Sequence, residues 1–328
     1  MSVNALTFSH AVLCCLLLGA SAAAGAQQSR QDAWWTGPML APNAATLPQG
    51  HALIEPYLFD VITTGHFDAN GNKHAAAHEH DLGSLSYVLY GVTDDLTAGL
   101  IPRFQYNMPA DAPNSSGVQF ADLTLQVGYG LAHFHDGGRT PDISLVLQET
   151  LPTGRYDRLA RASDGVGAGA YTTTVNLYLQ DYFWMPNGRI LRARLDVGYA
   201  FSSSVSVQDV SVYGTPAGFS GRAHPGDSFS VDAAAEYSLT RSWVLALDIV
   251  YQHGDSTRIT GSAPAAPPQV GLAPFEQESG SSCSLGFAPA IEYNWSPRMG
   301  ALLGVRIIEI GRNTAATITP AIALNMVF

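Results

Sequence analysis

Cysteine is nearly missing from this chain of 328 residues: Cys14, Cys15 and Cys283 are the three. The first two lie within an apolar stretch, Ala11 to Gly25, that ends in Ala24-Gly25-Ala26, the small-residue pattern of a signal-peptidase site before Gln27. Residues 1–26 therefore read as a cleaved signal peptide. That leaves a single thiol in the mature chain and excludes an internal disulfide in an oxidising compartment. Neither Cys14 nor Cys15 follows a small residue at the end of the stretch, which argues against a lipoprotein anchor.

Charge is scarce as well. Asp, Glu, Lys and Arg make up 13% of the chain, against roughly 25% in soluble domains. Lys73 is the sole lysine and the formal net charge is −11, a balance that disfavours nucleic-acid binding. Long apolar runs are missing too: no stretch of 18 or more apolar residues follows the leader, so a membrane helix is excluded. Low charge without a membrane helix, together with 32 glycines and 14 tyrosines, is the composition of a membrane barrel, in which half of each strand faces lipid.

What the sequence does contain is period-two alternation, the mark of strands whose successive side chains point to opposite faces. Ile318, Pro320, Ile322, Leu324, Met326 and Phe328 alternate with Thr317, Thr319, Ala321, Ala323, Asn325 and Val327. A terminal strand of this kind closed by Phe328 resembles the assembly signal of bacterial outer-membrane barrels. The same split recurs from Leu96 to Tyr106, Ala121 to Leu131, Leu191 to Phe201, Phe229 to Leu239 and Trp243 to Tyr251. Segments this long suit membrane strands of about 9–11 residues better than soluble strands of about 5–6.

Twelve strands are expected, at 51–64, 81–91, 96–107, 120–132, 142–151, 170–183, 190–210, 228–239, 243–254, 281–295, 300–310 and 315–328, with Ser202 to Tyr213 either an extension or a separate element. Short turns at Val92–Asp95, His133–Pro141, Met185–Gly188, Thr240–Ser242 and Ser296–Met299 alternate with longer polar segments, as they do on the two sides of outer-membrane barrels. The fold class is all-β, an antiparallel transmembrane outer-membrane β-barrel of about 12 strands. A periplasmic N-terminal segment over 27–50 precedes a barrel over 51–328. Trp184, Trp243 and Trp295 flank short turns, where aromatic side chains favour the membrane interface. If Tyr182 opposes Ile190, then Gln180, Tyr178 and Asn176 face Arg192, Arg194 and Asp196; if Gly91 opposes Leu96, Ser84 faces Arg103.

Four motifs carry a family resemblance: Leu47-Pro48-Gln49-Gly50, Tyr90-Gly91-Val92-Thr93-Asp94-Asp95-Leu96, Phe120-Ala121-Asp122-Leu123 and Leu151-Pro152-Thr153-Gly154-Arg155-Tyr156. They resemble the outer-membrane transporter family linked to the meta-pathway of phenol degradation. The resemblance implies passage of small compounds, aromatic or otherwise hydrophobic ones among them, across the bacterial outer membrane, by passive or facilitated diffusion and without a cofactor. It implies as partners the lipid bilayer, the barrel assembly machinery acting on the strand that ends at Phe328, and a small-molecule solute.

Arg103, Arg192, Arg194, Asp196, Asp232, Glu236, Asp248, Glu292 and Arg306 are the inward-facing candidates for lumen selectivity. Two readings of them stand: a transverse field that selects solutes, or opposite charges satisfying one another in a filled interior. His74, His78 and His80 cluster in the first long segment, but their spacing matches no tight metal motif and reads as a solvated loop. Gly165, Gly167 and Gly169 precede a strand rather than a helix, so they read as a flexible loop and not a dinucleotide site. Ser282, Ser284 and His253 are the residues an outer-membrane lipid-modifying enzyme would need, yet no G-x-S-x-G surrounds a serine. A structural or adhesive barrel is the third class. Gly261 to Pro274, with Pro264, Pro267, Pro268 and Pro274, is excluded as a central strand and reads as a loop, for which two placements stand: folded inward as a constriction, or mobile outside the barrel.

Overall fold

The computed structural model describes residues 27–135, 140–265 and 270–328; residues 1–26, with Cys14 and Cys15, and Pro267 and Pro268 lie outside them. Its strands are β1 (Ala52–Phe67), β2 (Lys73–Thr93), β3 (Leu96–Ile101), β4 (Arg103–Met108), β5 (Gln119–Phe120), β6 (Leu123–Ala132), β7 (Asp142–Leu151), β8 (Thr172–Trp184), β9 (Ile190–Ser202), β10 (Val205–Gln208), β11 (Ser220–His224), β12 (Ser228–Ser238), β13 (Trp243–Gly254), β14 (Arg258–Pro264), β15 (Leu272–Glu278), β16 (Ser282–Ser296), β17 (Met299–Arg312) and β18 (Thr314–Val327).

All but β10, β11, β14 and β15 form one antiparallel sheet of twelve staves, because β3 with β4 and β5 with β6 each continue a single stave. The third stave breaks at Pro102, which has no N–H for the ladder. The sheet closes on itself: β1 pairs with β2 on one side and β18 on the other, so Leu53 lies between Leu89 and Val327. Closure leaves no free edge to the bilayer. Outward positions carry Leu58, Phe104, Leu131, Leu147, Ile249, Leu303 and Ile322, all exposed. An apolar exterior of this extent fits lipid rather than water. Trp243 and Trp295 flank Tyr293 at the short-turn rim, with ring centroids 4.6 and 6.2 Å away.

Two expected registers shift. Across the 185–189 turn Trp184, not Tyr182, opposes Ile190, so Tyr182, Gln180 and Tyr178 face Arg192, Arg194 and Asp196. A slip of two keeps every side chain on its face. Between β2 and β3 an irregularity between Gly91 and Thr93 places Gly91 opposite Thr97. Arg103 therefore faces Leu85 and not Ser84, and Ser84 turns outward opposite Phe104.

The four remaining strands form a second sheet in the order β10-β11-β14-β15, reached from the loop ends of β9 and β13. Its core is Val207, Phe219, Ala223 and Ile259, with Phe275 packed edge-on to Phe219 at 5.2 Å. Ser202 to Tyr213 is thus a separate element. The segment Gly261 to Pro274 is not wholly loop: Gly261–Pro264 end the interior strand β14, with Pro264 as its last residue, and Pro274 sits in the edge strand β15. Both are positions that proline tolerates.

The glycines near 165 pack tightly instead of forming a loose loop. Asp122 Oδ1 accepts from Gly154 N at 2.8 Å and Oδ2 from Ala168 N at 2.7 Å. A Cβ on Gly167 would lie 2.7 Å from both Asp122 Oδ1 and Gly154, so a side chain there would break the wrap.

Candidate functional site

Residues 27–50, expected beneath the barrel, cross its short-turn mouth and in part enter it. Gln28 N donates to Gly188 O at 2.8 Å and Trp34 N to Arg241 O at 3.0 Å on one side; Leu47 N reaches Thr97 Oγ1 and Gln49 N reaches Asp94 Oδ1, both at 2.9 Å, on the other. Between these anchors the chain dips inward. This stretch forms no strand, so its amide protons must find acceptors on the barrel wall.

Two of the inward carboxylates supply them. Glu292 Oε2 accepts from Thr36 N at 2.7 Å and Gly37 N at 3.2 Å. Asp248 accepts from Met39 N at 3.0 Å through Oδ2, and from Leu40 N at 3.3 Å and Ala41 N at 3.0 Å through Oδ1. Both side chains are fully buried. Arg194 Nη1 donates to Ala41 O at 2.7 Å, Asn294 Nδ2 to Trp34 O at 3.1 Å, and Thr36 Oγ1 to Asn294 Oδ1 at 2.9 Å. Gly300 makes room, since a Cβ there would lie 2.1 Å from Thr36 Oγ1. Met39 completes the contact by packing on Ala288, Leu302, Ala321 and Ala323.

The remaining candidates fall into two groups. Arg192 and Arg194 sit beside Glu236, which is fully buried: Arg192 Nε lies 2.7 Å from Oε2, its Nη2 meets Oε1, and Arg194 Nε lies 3.1 Å from Oε2. Arg192 also stacks over Trp35 of the inserted segment, 4.6 Å from the ring centroid. Two cations thus surround one carboxylate next to Asp248 and Glu292, at the level of the inserted segment. Asp196, Asp232 and Arg306 lie beyond it, toward the loop end, around a cavity of ≈ 190 Å³ whose inner wall includes Leu40 and Pro42. That cavity shares Asn176, Gly198, Ser230 and Gln252 with a wider polar vestibule of ≈ 430 Å³. Arg103 stands apart, exposed on the lumen side opposite Leu85.

The other candidates do not assemble into sites. His80 Nδ1 pairs with Asp60 Oδ2 at 2.8 Å, and His74 pairs with Asp68 at 3.1 Å and stacks on His66. These pairs lie in hairpin β1–β2, which extends as strand through most of the expected loop. Among the described residues no group of three or more His, Cys, Asp or Glu side chains could hold a metal ion. His253 pairs across the sheet with Cys283, on the face opposite Ser282 and Ser284, and contacts Asp255 at 3.3 Å.

Sequence reasoning missed Thr36, Glu55, Asn294 and Asn325. Asn325 Nδ2 bridges Thr36 O at 3.4 Å and Glu55 Oε1 at 3.3 Å. Glu55 was legible as the one carboxylate in an otherwise apolar stretch from Ala52 to Phe59, and the segment itself as an uncharged run from Ala33 to Ile54.

An outer membrane channel of Pseudomonas putida F1 shares this fold, with a TM-score of 0.65 at 15% identity over 87% of this chain and 98% of that one. The toluene transporter TodX of Pseudomonas putida aligns more loosely, with a TM-score of 0.38 at 12% identity over 90% of this chain and 95% of that one, too distant to argue from. A comparison with curated protein sequences finds no match. The family named for the MetA-pathway of phenol degradation matches residues 49–318, nearly the whole barrel, and this outer-membrane barrel belongs to that family.

Proposed function

We propose that the barrel is a channel for small compounds, aromatic ones among them, whose short-turn half is closed by residues 34–47 acting as a plug, and that passage requires the plug to move. The observation that carries this reading is the mode of attachment. The plug is held to the wall chiefly by side-chain acceptors on Glu292 and Asp248, not by a strand ladder, so it can leave without unzipping the barrel. With the short turns on the periplasmic side, as in other outer-membrane barrels, the vestibule opens outward and the plug closes the periplasmic mouth. The lumen charges then divide by role. Arg192, Arg194, Glu236, Asp248 and Glu292 hold the closed state, while Arg103, Asp196, Asp232 and Arg306 face the path.

The surrounding partners are the bilayer, against the apolar staves, and the assembly machinery, which would take up β18 with Ile318, Ile322 and Leu324 facing lipid. An enzymatic role draws no support from His253, which shares no face with Ser282 or Ser284. The test is solute entry into liposomes carrying the purified protein. Influx of phenol-sized solutes above that of empty liposomes is expected; influx equal to empty liposomes, even after the plug is loosened by Asp248→Asn, refutes the channel.

A further inference from the structure

We infer that the cavity between plug and vestibule is a binding site for a small organic ammonium ion. The inference rests on the channel reading and narrows its solutes.

Asp196 and Asp232 lie directly opposite each other on β9 and β12. Opposed residues in such a pair have Cβ atoms about 4.5–5.5 Å apart, and like charges there repel. Asp196 is 6% exposed and neither of its carboxylate oxygens has a hydrogen-bonding partner in the chain; Asp232 is 8% exposed and its Oδ1 has none. Buried acceptors without donors are costly and rare, and three around one cavity mark a place built to receive donors.

The cations nearby do not supply them. Arg194 is held by Glu236 and Ala41 O, and Arg306 directs Nη2 to Gln252 Oε1 at 2.7 Å, its Nε having no partner in the chain, so the vacant acceptors outnumber that one vacant guanidinium donor. With both carboxyls ionised, Asp196, Asp232 and Arg306 leave the cavity walls one net negative charge, which one monovalent cation balances. A protonated amine brings up to three N–H donors for the three vacant oxygens. Arg306 beside the cavity opposes a divalent metal. Tyr178 and Pro42, both in the cavity lining, offer apolar surface against which a ring can lie. Asn176 Nδ2, 8% exposed and also unpartnered, is a donor for a polar substituent on the solute.

The test is calorimetric titration of the full chain in detergent micelles with benzylamine hydrochloride, with benzyl alcohol as the uncharged isostere. Saturable one-to-one benzylamine binding is expected, weakened at least tenfold in Asp196→Asn, with no saturable heat from benzyl alcohol. Asp232→Asn serves as the second variant, and heat-modifiable gel migration confirms that each variant is folded. The assignment is overturned if benzylamine gives no saturable heat, if both folded variants bind it like the parent, if benzyl alcohol binds equally, or if sodium chloride displaces benzylamine mole for mole. Benzylamine binding without solute influx would overturn the channel and leave the site; influx without benzylamine binding would do the reverse.

Discussion

Replacing Asp248 by Asn removes a charge and one acceptor while keeping the side chain's size. The carboxylate accepts three plug amides, Met39 N through one oxygen and Leu40 N and Ala41 N through the other. An Asn Oδ1 can retain the last two as neutral bonds, but its amino group then confronts Met39 N donor to donor. A hydrogen bond to a charged group contributes about 1.5–3 kcal/mol and a neutral one about 1 kcal/mol less. One bond lost and two weakened come to about 3–5 kcal/mol in favour of the released plug, or roughly two to nearly four powers of ten in its population. Hydrogen exchange reads this directly: the amides of residues 39–41 should exchange at least a hundredfold faster, while those of β13 stay protected. Unchanged exchange at 39–41 in a folded variant would refute the idea that Asp248 latches the plug.

Other outcomes follow from the same contacts. Glu236→Ala strands Arg192 and Arg194 in a buried site, and removing one partner of a buried pair costs about 3–5 kcal/mol; the barrel should unfold at a markedly lower temperature by heat-modifiable migration, and an unchanged midpoint would contradict the network. Gly167→Ala places a methyl against Asp122 and Gly154; overpacking of this kind costs about 1–3 kcal/mol, so limited proteolysis should cut within 152–169 faster than in the parent. Asp164 accepts from Ser116 N at 2.7 Å and from Ser116 Oγ at 3.0 Å, and these bonds hold its carboxyl below the usual range. A lowered folded-state pKa means that the stabilisation is complete above the ordinary carboxylate range and fades as pH falls through the lowered value. Protease sensitivity of segment 109–118 should therefore rise only in acid, and Asp164→Asn should flatten that dependence.

The wall of the barrel was readable from the sequence because its signal is local. Parity alone assigned Arg192, Arg194, Asp196, Asp232, Glu236, Asp248 and Glu292 to one face, and both ends of β7 and β13 fall where alternation placed them. Register was less legible. The irregularity between Gly91 and Thr93 adds no compositional mark, and a two-residue slip such as that at Trp184 and Ile190 leaves the pattern of faces intact. The plug was not legible as a plug. Residues 34–47 have no period, and the bonds from Thr36 to Ala41 into Glu292 and Asp248 run to residues more than 200 positions away. Only the lack of charge between Ala33 and Ile54 signals that this stretch does not sit in water. The interior charges differ with depth: Arg192 and Arg194 pair with Glu236 beside the inserted segment, while Asp196 and Asp232 beyond it keep carboxylate oxygens without a partner in the chain.

Single-channel conductance of the full chain against a chain lacking residues 35–46 tests the central claim most directly. A reversible plug predicts brief, small openings in the full chain and a larger, sustained conductance in the shortened one. Identical conductance in the two, with both barrels folded, would contradict it.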